Sequence, residues 1–449
     1  MNVRKLLYFT YTSSVKRISL ARFYKEFSKE DESGVSLDKT RELLVQLLTH
    51  CQQAVPYYRH AILKQGDFFK EDPESYLVNF PVLTKDIIRK EFDQLKSEDL
   101  AKRQWCFSTS GGSTGEPVKL IQDQDYFDRS IAISKLYSKW IGREIGEPEV
   151  YLWGSERDLF QNSMGLKAFL SNQLTNTTYL NAFRMSPQKM REFVEVLNSK
   201  RPKLIVAYAQ AIYELAKFAQ EQSLTVVPQK AIVTSAGTLY PFMREKIERI
   251  FQCRVFNRYG SREVGDVACE RPGFEGLWVA PWGTYVEIVD DDDNPVPPGF
   301  EGNILVTSLA NYAMPLIRYK IGDRGALAAE SQERRTVQIL EKVSGRITDN
   351  FKTKNGKIVP GEYFIHLLGV VLNKGGIEKF QLIQKDYDLI VLKLVVDELE
   401  KPKLNTEEII NKVNLVMDEP CFVNVEFVED IPPLSSGKYR YTISEVSES

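Results

Sequence analysis

The segment Ser108-Thr-Ser-Gly-Gly-Ser-Thr-Gly-Glu-Pro-Val-Lys119 places three glycines among hydroxyl side chains and then returns to the apolar Val118, Leu120 and Ile121. Glycine lets a backbone turn tightly and approach a ligand closely. Successive backbone N–H groups in such a turn make a concave anion site, and Ser and Thr hydroxyls add compact donors. The chemistry this suits is phosphate binding; a flexible Ser/Gly surface loop is the plainer alternative. Two nucleotide loops are excluded by spacing. A Walker loop needs Lys-Ser/Thr after its last glycine, where Glu116 and Pro117 stand, and the dinucleotide fingerprint does not fit Gly111, Gly112 and Gly115.

Three further clusters can do chemistry. Asn257-Arg-Tyr-Gly-Ser-Arg-Glu263 follows a predicted strand, and ligands of open α/β sheets collect beyond the carboxyl ends of strands. A Tyr there can stack on a base and a carboxylate can hold Mg²⁺ beside phosphates. Pro315-Leu-Ile-Arg-Tyr-Lys-Ile-Gly-Asp323 ends on an Asp suited to ribose hydroxyls. Ser435-Ser-Gly-Lys438-Tyr-Arg440 offers a Lys on a turn, able to stabilise charge on a transferring phosphoryl group. Each has an ordinary reading as a turn, strand end, hairpin or tail; their order and spacing decide.

The elements that must position them are legible as alternation. Leu43, Leu44, Leu47, Leu48 and Cys51 mark one face of a helix over 38–51. Strands are predicted at 150–153, 204–208, 231–233 and 254–256. Helices lie between them, opening at Ser186-Pro187, around Ile212–Ala219 and at Pro241. This is an α/β pattern with mostly parallel sheets. Residues 277–309 read as strands around the turn Asp290–Pro295, whose acids suit a solvated hairpin better than a metal site. After Gly345-Arg346 a β-β-α-β piece of about 100 residues follows, large enough to fold separately. The expected division is a large N-terminal α/β domain, 1–343, and a small mobile C-terminal α+β domain, 344–449.

Bulk properties bound the function. The chain has 449 residues, 43% hydrophobic and 27% charged, with formal net charge −2, which offers no case for nucleic acid. The five cysteines are scattered and read as buried free thiols of a reducing cytoplasm. His50, His60 and His366 are dispersed and support no triad. No run approaches the roughly 20 apolar residues of a membrane span, and no secretory signal is visible. Residues 1–30 are basic. They can form a helix packed on the body, the favoured reading because the apolar cluster is short, or make a weak membrane-surface contact.

Taken in order, these residues resemble the adenylate-forming (acyl-CoA synthetase) superfamily. Ser110–Pro117 is similar to its phosphate loop, Tyr259-Gly-Ser-Arg-Glu263 to its Tyr-Gly-x-x-Glu motif and Tyr319-Lys-Ile-Gly-Asp323 to its ribose motif. Gly345-Arg346 is similar to its hinge and Gly437-Lys438 to its C-terminal lysine motif. The wording is nearest the phenylacetate–CoA ligase branch and its CapK-like proteins of capsular polysaccharide biosynthesis, over about residues 36 to 443. The resemblance implies that Ser110, Gly111, Gly112, Ser113, Thr114 and Gly115 wrap the ATP phosphates. It implies that Ser235, Ala236, Gly237, Tyr259, Gly260 and Ser261 line the adenine side, and that Asp323 and Arg346 serve the ribose. Glu263 would hold Mg²⁺ and Lys438 the carboxylate and α-phosphate. Trp153 and Tyr208 would line the acyl pocket, unless they are core packing at strand ends.

Departures are visible. Glu116 stands where the loop usually has Lys, so phosphate charge must be met elsewhere; the hinge acid is Asp349 rather than residue 348. The implied function is an AMP-forming acid–thiol ligase: ATP activates a carboxylic acid to an acyl-adenylate, and coenzyme A takes the acyl group. Transfer to an amine is the alternative within the family, and a non-catalytic nucleotide-binding regulator is the alternative outside it.

Overall fold

Short aliphatic runs alternating with amphipathic helices build a wide mixed sheet in the computed structural model. It describes residues 3–14, 18–34, 37–65, 68–109, 118–154, 172–182, 185–329, 337–344, 349–359, 361–368, 377–396, 404–431 and 441–446. β1 (Trp105–Thr109) and β2 (Lys119–Asp123) form an antiparallel hairpin in which Thr109 faces Lys119. β3 (Glu149–Trp153), β4 (Thr177–Asn181), β5 (Leu204–Tyr208), β6 (Ala231–Ser235) and β7 (Arg254–Ser261) are parallel, in the order β4-β3-β5-β6-β7. The sheet continues antiparallel through β8 (Gly265–Glu270), β9 (Leu277–Val279), β10 (Thr284–Val289), β11 (Gly302–Ser308), β12 (Tyr319–Leu327) and β13 (Ile339–Ser344). Their order from β7 is β8-β9-β13-β12-β11-β10. The α/β class stands; parallel pairing is confined to the half where helices cross between strands.

Local chemistry sets these elements. The Pro187–Lys200 helix starts where Ser186 Oγ accepts the Lys189 backbone N–H, with Pro187 in its first turn. Its Met190, Phe193, Val194 and Leu197 are buried on one face of the parallel sheet with Ile212, Leu215 and Ile247. The opposite face carries Leu204, Val206, Ala231, Val233 and Phe256. The Gln124–Trp140 helix lies near that side, and its Ser134 hydroxyl accepts from Arg258. The basic N-terminal segment forms helices Val3–Ser14 and Ile18–Ser33. They pack on the body through a Lys5–Glu144 ion pair and the stacked rings of Phe27 and Trp282, while Val3, Leu6 and Leu7 stay exposed. Of the cysteines expected to be buried, Cys106 is exposed, because β1 sits in a two-stranded hairpin with open faces. No helix among the described residues is long and apolar enough to cross a membrane.

The C-terminal elements form sheets of their own. β14 (Phe351–Lys352) pairs with β15 (Ile358–Val359). β16 (Ile377–Asp386), β17 (Leu389–Val396), β18 (Phe422–Phe427) and β19 (Thr442–Ser444) lie in the order β18-β17-β16-β19. The Thr406–Met417 helix, capped by Asn405, connects the parallel pair β17 and β18. Asp349 is bound into this sheet: its carbonyl accepts from Thr442 Oγ1 at 2.8 Å and its carboxylate from the Ser444 N–H at 3.0 Å.

A cavity of about 440 Å³ lies between the Pro187–Lys200 and Ala209–Glu221 helices and the C-terminal elements, lined by Met185, Met190, Glu214, Phe218, Lys357 and Tyr363 among others. Burial pushes the Glu214 carboxyl up to about 7, against the opposing pull of Lys217 and Gln210. The folded chain therefore holds this proton more tightly than the unfolded one. The stability the proton confers is complete below about pH 4.5 and is lost as pH rises through about 7. Glu214→Gln is expected to raise the melting temperature by about 2–4 °C more at pH 8 than at pH 5. Melting curves at both values test this, and an equal change at the two would remove Glu214 as the source.

Candidate functional site

Tyr208 closes β5 and Ser235 closes β6, side by side in register. Trp153 closes β3, its ring centroid 4.1 Å from that of Tyr208. The Tyr208 hydroxyl donates to the Gly154 carbonyl at 3.0 Å; burial pushes its phenol up to about 12, with Arg262 pulling the other way. Ala236 follows Ser235 with φ +58°, left-handed and exposed, so the chain turns sharply off the sheet edge toward Gly237. The predicted residues on these strand ends therefore share the carboxyl edge of the parallel half.

The second group is joined across the sheet. The Tyr259 hydroxyl donates to Asp323 Oδ2 at 2.9 Å, although the two lie 64 residues apart and β7 and β12 are separated by β8, β9 and β13. The antiparallel half must curl to bring them together. Glu263, in the turn after β7, is 6% exposed. Its Oε1 accepts from the Tyr319 hydroxyl at 3.3 Å and lies 4.0 Å from Lys85 Nζ. Its backbone carbonyl accepts from Gln122 and Tyr126, which ties β2, and so the end of the glycine segment, to the Glu263 turn. Ser110, Gly111, Gly112, Ser113, Thr114, Gly115, Arg346 and Lys438 lie outside the described residues.

Two residues given no role from the sequence lie against Glu263: Lys85, outside every motif, and Tyr319, the first residue of the motif that ends on Asp323. Lys85 opens the Lys85–Lys90 helix behind its Thr84 cap, and is itself buried. A buried lysine is rare and shows itself only once packing is known. Its placement rests on Arg318. That side chain, 3% exposed, donates to the Glu287 carboxylate and to the carbonyls of Val78 and Phe80. Beside it Leu83 exchanges backbone hydrogen bonds with Arg318 and Lys320. The acid run after β10 is spent locally: Asp290 accepts the Asp292 and Asn294 N–H groups, Asp291 pairs with Arg324 and Asp293 with Lys320. Among the described residues no three His, Cys, Asp or Glu side chains are grouped to hold a metal. A lone buried carboxylate such as Glu263 nevertheless suits a Mg²⁺ held mainly by substrate phosphates and water.

Residues 351–445 match the CapK C-terminal domain family. The chain is similar to Protein CapK of Staphylococcus aureus, 24% identical over 94% of this chain and 92% of the relative. It is 25% identical to phenylacetate-coenzyme A ligase of Escherichia coli strain K12, over 73% of this chain and 76% of the relative. Among solved structures, 2-hydroxyisobutyryl-CoA ligase in complex with 2-HIB-AMP and CoA superposes with a TM-score of 0.57, at 18% identity over 90% of this chain and 89% of that one. The similarity to CapK covers nearly the whole chain and that to phenylacetate-coenzyme A ligase about three quarters of it, which fits the expected resemblance to adenylate-forming ligases, and the fold is that of 2-hydroxyisobutyryl-CoA ligase.

The turn that presents Glu263 depends on two glycines. The register shifts between Tyr259 and Gly260, and a Cβ on Gly260 would sit 2.4 Å from the Gly265 carbonyl oxygen. Gly265 itself has φ +76°. The obstruction is backbone, which cannot step aside. Gly260→Ala is expected to cost about 1–3 kcal/mol, read as a lower urea midpoint. An unchanged midpoint would show that the bulge is not the constraint it looks to be.

Proposed function

We propose that the chain activates a carboxylic acid with ATP, forming an acyl-adenylate and releasing pyrophosphate, and then transfers the acyl group to coenzyme A. The observation that carries this reading is the Tyr259–Asp323 hydrogen bond with Glu263 four residues on, which unites two motifs on strands of the curled sheet that three others separate. Tyr259 orients Asp323 to accept the ribose hydroxyls, and Ser235-Ala236-Gly237, with Gly260 and Ser261, gives the adenine a backbone edge. Ser110–Gly115, with Thr114 among them, take the phosphates. Lys85, buried beside Glu263, is placed to supply the positive charge that Glu116 does not. Mg²⁺ bound by Glu263 and the phosphates supplies further charge neutralisation.

A carboxylate is a poor acyl donor because its leaving group would be oxide. Its oxygen attacks the α-phosphorus, the bond to the β-phosphate oxygen breaks, and pyrophosphate leaves. The CoA sulfur then attacks the acyl carbon, its proton goes to solvent, and AMP departs. No enzyme nucleophile is needed; the protein positions reactants and stabilises charge. Lys438 faces the carboxylate and α-phosphate in the first step. The second follows rotation of a lid, residues 344–449, about a hinge near Arg346, relative to the large domain 1–343. The compartment we propose for the reaction is the cytoplasm, where ATP and coenzyme A are both supplied.

Acid-dependent ATP–pyrophosphate exchange over aryl, fatty, hydroxy and amino acids tests the first half-reaction. Exchange is expected with one acid class, and CoA should then yield a thioester. Exchange followed by a product only with amines would replace the acceptor, and ATP binding without any exchange would end the catalytic reading. Lys438→Ala is expected to slow adenylation by about 10²-fold or more while sparing thioester formation from supplied acyl-adenylate. Equal loss in both steps would remove that role. Tyr259→Phe should weaken ATP binding about 10-fold, measured by calorimetry; unchanged affinity would separate the Tyr259–Asp323 pair from the nucleotide.

A further inference from the structure

The register of the parallel strands sets a fourth residue beside the three expected at their ends. Leu152 pairs with Ala207, Tyr208 with Ser235, and Thr234 with Asn257. One step on, Trp153, Tyr208, Ser235 and Arg258 fall in a single row on one face. It is the face of Phe256, which packs among Val206, Val233, Tyr151 and Trp153. Trp153 and Tyr208 would wall an apolar tail. Arg258 would not.

The Arg258 side chain is 10% exposed. Its Nη1 donates to Ser134 Oγ and to Asp266 Oδ2, each at 3.3 Å. Its buried Nε has no hydrogen-bond partner among the described residues. Behind it, Arg143 Nη2 lies 3.2 Å and Lys135 Nζ 3.6 Å from the same Glu149 oxygen, Arg143 and Glu149 being fully buried. The belt thus sets three cationic side chains, Lys135, Arg143 and Arg258, against two carboxylates, Glu149 and Asp266. Burial holds the Lys135 ammonium below its usual value; Glu149 opposes this, and Arg143 and Arg258 add to it. Tyr151 and Cys269, which also face Arg258, bring no countercharge at neutral pH, burial pushing both up.

A buried guanidinium with an unsatisfied N–H, set beside the further basic side chains Lys135 and Arg143, gains nothing from a hydrocarbon tail. It is matched by an oxyanion, which a guanidinium fork binds through paired hydrogen bonds. Resting on the carboxylate-activating reading above, we infer that the acid carries a second anionic group, a carboxylate or similar oxyanion, and that Arg258 holds it. Arg258 is then a specificity-determining residue at the distal end of the acyl site, and the row Trp153–Tyr208–Ser235 spans the space between.

The test is ATP–pyrophosphate exchange by the full chain with succinate, glutarate and adipate. Each is set against butyrate, pentanoate and hexanoate and against the matching ω-hydroxy acids. One diacid is expected to exceed its chain-matched monoacid by about 10²-fold or more in kcat/KM, mostly through KM. Arg258→Met should lower kcat/KM for the diacid far more than for the monoacid, so that the preference is lost, and Arg258→Lys should keep part of it. If Arg258→Met does not fold, the wild-type series and Arg258→Lys decide. Equal use of monoacids and diacids overturns the inference and leaves adenylation standing, and so does preference for the hydroxy acid. Equal loss on all acids in both variants would make Arg258 structural and overturns it as well. Exchange with no acid of any class ends the underlying reading and this inference with it.

Discussion

Arg318 holds the site together. A guanidinium almost out of water needs partners for its donors, and here Nε is met by Glu287 and Nη1 by two carbonyls of the chain just before Lys85, while Nη2 is left without one among the described residues. Burial raises the Glu287 carboxyl, and Arg318 beside it works to keep it ionised. This one contact ties an early segment to the β10–β11–β12 part of the sheet and adopts a left-handed backbone, φ +52°, to do so. Tyr319 comes next in the chain, and its hydroxyl then reaches Glu263. Removing the guanidinium would leave Glu287 buried without its cation, so the damage would spread to Lys85, Tyr319 and Glu263 together.

What could be seen in the sequence follows from the range of the interactions involved. The Pro187–Lys200 helix announces itself through Ser186, Pro187 and an apolar stripe, all within one turn or two. The strand Leu204–Tyr208 is a short apolar run with buried residues on both faces, as a central parallel strand should be. The curl that brings β12 to β7 is different. It depends on pairings between strands far apart in the chain, and no local pattern encodes which of several alternating segments lies beside which. Of the residues read from motifs, Tyr259 and Asp323 are hydrogen-bonded to each other and Glu263 accepts from Tyr319. Lys85 was passed over because nothing near it in sequence distinguishes it from a surface charge, and Arg258, though inside the Asn257–Glu263 cluster, was given no role of its own; only burial marks both.

The two halves of the sheet divide the work. The parallel half, with helices crossing between its strands, ends in side chains that face outward from one edge and can line a pocket. The antiparallel half has no such crossings and is free to bend, and bending carries Asp323 to Tyr259. The junction is β7, parallel to β6 on one side and antiparallel to β8 on the other. Residues of both groups therefore come from β7 itself: Arg258 stands in the row of Trp153, Tyr208 and Ser235, and Tyr259, one residue on, reaches Asp323.

The Tyr208 ring touches more than its strand neighbours. It lies 6.2 Å, centroid to centroid, from Tyr363, whose hydroxyl is 4.0 Å from the Met185 sulfur beside the cavity against the C-terminal elements. Aromatic side chains have few rotamers and move as rigid plates. A molecule that tilts the Tyr208 plate thus tilts the bearing surface on which Tyr363 rests. Any turn of the Tyr208 ring at the sheet edge would therefore be met first by the C-terminal elements at Tyr363.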